Sequence, residues 1–160
     1  MSKILANIKY LLAPVLILVT FAGVLAGGIF AWLGVALLFV GIVIDTLIKK
    51  QASSQMHGDS GETLASPMFQ NLVMYFMLPV FVLLQLALAW RVYGFMSGMP
   101  VEVTSVWMGL IPITSGITGL DLIGATLSTG IFAGIGIIYG HELSHTKGFA
   151  FIISRMTMAL

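Results

Sequence analysis

Long apolar runs separated by short polar stretches set the pattern of this chain. Between Lys9 and Asp45 no residue carries a charge. About 20 apolar residues cross the hydrocarbon core of a bilayer, so that run is too long for one span. Gly27 and Gly28 divide it. The pattern predicts a helix over 10–26 and a second over 29–48, joined as a tight hairpin. Lys49 to Pro67 is the one clearly polar segment, and its Gly, Ser and Asp content reads as an exposed loop. A third span is expected over 68–90. It has Pro79 inside, and Trp90 and Arg91 are taken to mark its interfacial end. Gly94, Gly98 and Pro100 predict a turn. The short apolar stretch over 106–117 contains Pro112 and Gly116 and is expected to be re-entrant or interfacial. The last predicted span, 120–139, carries Gly124, Gly130, Gly134 and Gly136. Small residues let membrane helices approach closely, which predicts a helix packed inside the bundle.

Composition agrees with lipid as the solvent. The 160 residues are 59% hydrophobic and 8% charged, whereas soluble domains carry about a quarter charged residues. A soluble fold of this size has no interior large enough to hide so much apolar surface. The expected fold class is therefore an all-α integral membrane protein with about four transmembrane helices, forming one membrane-embedded domain over 1–160. A cleaved signal peptide is the rival reading of Lys3 to Ala26. No small-residue cleavage site is convincing there, and a second span follows at once. A net charge of +1 offers no basic stripe for nucleic acid. With no cysteine, a metal would have to be held by His, Asp or Glu.

Positive charges predict orientation. Lys3, Lys9, Lys49, Lys50, Lys147 and Arg155 share one side under a four-span topology, and the positive-inside rule makes that side cytoplasmic. Arg91 alone falls opposite. The expected location is a multi-pass membrane, the inner membrane in a bacterium. The N-terminus and His141 to His145 then lie on the cytoplasmic side. A fifth span near 106–117 would reverse the placement of His141.

The chemical signal is His141-Glu142-Leu143-Ser144-His145. Imidazoles at i and i+4 share one helical face and can reach one metal ion. Glu142 points elsewhere and could be a base, a ligand or the partner of one. The bland alternative is a pair of interfacial histidines with Glu142 solvated. His57, beside Asp59 and Glu62, reads as a solvated loop residue. Asp45 ends the second span, where Lys49 stands one turn on, and Asp121 stands near the start of the fourth. Asn71, Tyr75 and Gln85 could orient a site or simply hold helices together.

The segment GIFAGIGIIYGHELSHTKG, Gly130 to Gly148, resembles the first histidine box of membrane alkane 1-monooxygenases and xylene monooxygenases. These belong to the membrane fatty-acid desaturase and hydroxylase superfamily. The opening hairpin ending in Val43-Ile44-Asp45 and the span from Asn71 to Trp90 are loosely similar too. The resemblance implies a helical membrane bundle with a cytoplasmic histidine cap holding two irons. It also implies hydroxylation of an alkane or alkyl group with O2, and electrons from rubredoxin or a ferredoxin-type reductase. It makes His141 and His145 iron ligands and leaves the role of Glu142 open. The family has further boxes of the HxxxHH and HxxHH types, which are absent here. The chain is therefore expected to be the truncated N-terminal part of a longer enzyme, inactive as an oxygenase by itself. The alternatives are a membrane zinc metallopeptidase with Glu142 as base, a fatty-acid desaturase, and a non-catalytic helical membrane subunit.

Overall fold

The computed structural model describes residues 3–52, 67–106, 111–145 and 148–159. Helix α1 spans Lys3–Ala26 and leads through Gly27 into a 3-10 turn, Gly28–Trp32. Helix α2 follows as Leu33–Ala52 and α3 as Pro67–Met96. Strands β1, Val103–Val106, and β2, Ile111–Thr114, form an antiparallel hairpin. Helices α4, Gly119–Ser144, and α5, Phe149–Met158, complete the described chain.

The opening hairpin turns where its glycines predict. Gly27 and Gly28 have φ of 71° and 53°, a left-handed conformation that side chains with a Cβ resist. Helices α1 and α3 run parallel. Their far ends meet where Arg91 reaches Val24, and their near ends flank a fissure lined by Leu11, Pro14, Phe69 and Leu72. Helix α2 runs parallel to α4, and α3 lies antiparallel to α4, with Phe81 against Gly136. The core joins Ile17 and Val24 of α1, Met77, Val80, Phe81 and Leu84 of α3, and Ala125 and Phe132 of α4.

Among the described residues three helical stretches are long and apolar enough to cross a membrane: Gly28–Leu47, Met68–Met96 and Gly119–Ser144. Helix α1 adds a shorter apolar stretch, Leu11–Ala26. The outward faces carry large apolar side chains, including Phe39, Val43, Leu72 and Leu86, each more than half exposed. Apolar surface on this scale suits contact with lipid.

Four sequence-based expectations change. The stretch over 106–117 contains strand where the sequence pattern placed none: Val106 and Ile111–Thr114 belong to the β-hairpin, whose register pairs Val103 with Thr114 and Thr104 with Ile113. Strands rich in Val, Ile and Thr satisfy their backbone by pairing with each other, so the fold is not purely helical. Helix α3 runs six residues beyond Trp90, to Met96. The polar segment from Lys49 begins as helix, because α2 continues to Ala52; residues 53–66, with His57, lie outside the described residues. The apolar run after Gly148 forms α5, an element the span pattern did not contain.

Arg91, expected at the interfacial end of the third span, is turned into the protein and is 2% exposed. Its Nε donates to the carbonyl of Val24 at 2.7 Å and Nη2 donates to that of Leu25. Nη1 donates to Thr114 O at 2.6 Å and Gly116 O at 3.2 Å. The last carbonyls of a helix lack intrahelical partners. The guanidinium supplies them for α1 and ties that end to the segment leaving β2. Trp90 is exposed, its ring 6.1 Å from that of Tyr93.

Candidate metal site at the end of α4

Helix α4 begins with a built cap. Thr118 accepts the backbone N–H of Asp121 at 3.1 Å and donates its hydroxyl proton to the Asp121 carboxylate at 2.7 Å. Asp121 thus stands in the first turn, where a carboxylate favours the positive end of the helix dipole. The helix is central, as its glycines predict. A Cβ on Gly124 would lie 2.6 Å from the Trp32 indole, and one on Gly136 would lie 3.0 Å from the Phe81 ring. Ser128 donates to Ala31 O at 2.7 Å and accepts from Val35 N at 3.3 Å. Gly130 and Gly134 instead face open space.

The other end of α4 carries the histidines. His141 lies in its last turn and His145 is its C-cap residue. Their Nε2 atoms stand 3.4 Å apart, with the rings edge to face at 85°. An ion about 2.1 Å from both nitrogens would need them about 3.0 Å apart in octahedral geometry and about 3.4 Å apart in tetrahedral geometry. The donor set and its spacing therefore fit two ligands of one ion. One imidazole donating to the other would also satisfy this distance.

Leu143 fixes which way the pair faces. At 100° per residue it points about 160° away from both histidines. It is 1% exposed and packs with Ala150, Ile153, Met74 and Leu78. His141 and His145 are exposed in consequence. They continue the face of α4 that holds Leu120, Ile123, Leu127, Ile137 and Ile138, all exposed, together with Gly130 and Gly134. No other described element covers that face.

Glu142 is exposed and follows a different azimuth, shared with Ile131 eleven residues earlier. Ile131, Phe132 and Ile135 line a cleft of about 290 Å³ between α1, α2 and α4, and Asp45 is the one charged residue in its lining. Asp45 therefore borders the α2 side of α4 and not the histidine side. Among the described residues no three His, Asp or Glu side chains gather around one point. Asn71 and Tyr75 are exposed and line a shallow cavity with Met68 and Leu72, while Gln85 is half-buried.

Sequence reasoning missed the element that packs behind the last turn of α4. Helix α5 folds back antiparallel on α4, and Ser154 donates its hydroxyl proton to Gly140 O at 2.7 Å. A polar Ser154 within the apolar run, fourteen residues after a glycine, was the available signal.

Comparison with models of known protein families, with curated proteins and with solved structures gives no match.

Proposed function

We propose that this chain is the histidine-bearing part of a membrane-bound non-haem iron oxidoreductase, with His141 and His145 as two ligands of its metal centre. The observation that carries the metal pair is the 3.4 Å between the two Nε2 atoms at the end of an apolar helix; the choice of iron rests on the resemblance of Gly130 to Gly148. Ionisable side chains in such helices are costly and most often functional, and imidazole suits iron. The topology we propose has four spans, α1 to α4, with the pair and the N-terminus facing the cytoplasm.

The remaining ligands must approach from the open face of α4, because Leu143 turns the pair away from α3 and α5 and Asp45 lies on another side. The resemblance supplies the rest of the reading: a di-iron centre, an alkane or alkyl substrate, and electrons from rubredoxin or a ferredoxin-type reductase. Iron bound there would supply oxygen activation. The chain's own contribution is to orient two imidazoles and to surround the approach with apolar side chains that exclude water. Glu142, about 100° around the helix from His141, is not on the face of the pair and stays outside the proposed ligand set.

The tetrahedral spacing favours one second reading, a zinc centre of the HExxH type with Glu142 as base. The test is metal analysis of the chain purified in detergent from cells supplied with iron and zinc, beside His141→Ala and His145→Ala. The proposal expects His-dependent iron, and nitric oxide binding to the ferrous protein as the sign of an open coordination position. Zinc in place of iron selects the second reading. Bound metal that is indifferent to both substitutions overturns both and leaves a non-catalytic membrane subunit.

A further inference from the structure

The two histidines sit at a place where helices are weakest. His141 is in the final turn of α4 and His145 caps it. Carbonyls in that turn have no further helical N–H to accept from, and helix ends fray. Fraying by one residue would swing His145 away from His141. The chelating distance across the turn thus needs support from outside α4.

Helix α5 is placed to give it. Ser154 donates to the carbonyl of Gly140, the residue immediately before His141, and this hydroxyl is fully buried. Leu143, midway between the histidines, is clamped against Ala150 and Ile153. Gly140 has no side chain, and the space a Cβ would take is filled: such a Cβ would lie 2.5 Å from Met158 Cγ and 3.3 Å from Ser154 O. The closest approach of α5 therefore falls on the turn that carries the pair. Within the turn, Ser144 Oγ donates to His141 O at 2.6 Å.

We infer that α5 is a positioning element for the metal pair, with Ser154 acting through Gly140 and Leu143 to hold the last turn of α4 in chelating geometry. This rests on the proposal that His141 and His145 bind a metal. Groups that orient metal ligands from behind typically change affinity 10- to 100-fold when removed.

Two variants separate this bracing role from ordinary helix stability. Ser154→Ala removes the hydrogen bond and is expected to weaken Co2+ binding about tenfold, with Ser154→Thr restoring it. Gly140→Ala is the sharper case. It strengthens α4 locally, because Ala is the better helix former, yet it pushes α5 away. A local-helix account expects equal or tighter Co2+ binding; the brace expects weaker binding. The experiment is a Co2+ titration of the detergent-purified chain followed by its visible ligand-field spectrum, with His141→Ala as the control and helix content monitored by circular dichroism. Wild-type affinity in both Ser154→Ala and Gly140→Ala, with binding lost in His141→Ala, would overturn the brace while keeping the metal site. Co2+ binding unaffected by His141→Ala would overturn the metal site and the brace together. If Ser154→Ala loses its helical signal, Gly140→Ala alone decides.

Discussion

Replacing Arg91 by methionine should be the most damaging single change to the bundle away from the histidines. The side chain is 2% exposed and hydrogen-bonds the carbonyls of Val24, Leu25, Thr114 and Gly116. Hydrogen bonds to a charged group contribute about 1.5–3 kcal/mol each, and a buried acceptor left unsatisfied costs roughly 1–3 kcal/mol. Methionine fills much of the volume but donates nothing. Four carbonyls at about 1 kcal/mol each give a loss of about 4 kcal/mol after some are rescued by water. Arg91→Lys keeps the charge but loses the planar fork that reaches two elements at once, so about half of that loss is expected. The assay is reversible unfolding in mixed micelles by SDS titration, followed by circular dichroism. The β-hairpin should loosen first, seen as earlier proteolysis between Pro100 and Gly116 than within the helices. A Met variant within about 0.5 kcal/mol of wild type, the usual range for a surface change, would refute the account of Arg91 as the tie between α1, α3 and the hairpin.

Two further outcomes follow from α4. Gly124→Ala should destabilise by about 1–3 kcal/mol, since its Cβ would lie 2.6 Å from the Trp32 ring. Gly130→Ala and Gly134→Ala, where nothing lies within 4 Å, should be neutral or stabilising by up to about 1 kcal/mol; the same SDS titration ranks all three. Thr118→Ala removes the side-chain cap of α4 and should cost about 1 kcal/mol, measured as faster amide hydrogen exchange over Leu120 to Leu122.

The helices themselves were legible from the run of residues. Apolar stretches of membrane-spanning length, the Gly27-Gly28 break and the i, i+4 spacing of His141 and His145 are local properties, fixed by 1.5 Å of rise and 100° of turn per residue. The central place of α4 could be read from its glycines, but not which of them would be packed. Gly124 and Gly136 meet aromatic rings while Gly130 and Gly134 meet nothing, and that difference depends on where Trp32 and Phe81 arrive from other helices. The hairpin was obscured because a short apolar stretch with a proline has no period that distinguishes a strand from an interfacial segment.

Arg91 and Ser154 show the same divide most clearly. By itself the sequence determined that a lone cation follows a long apolar run and that two imidazoles share a helical face. Only the tertiary structure decided that the cation is buried, because its partners are backbone carbonyls of Val24, Leu25, Thr114 and Gly116, groups every residue possesses and no sequence pattern marks. Only it decided that the histidines face outward, because burial of Leu143 against α3 and α5 sets the rotation of the turn between them. Periodicity is written along one chain segment, whereas hydrogen bonds to distant backbone and the burial of one helix face exist only once other segments are in place.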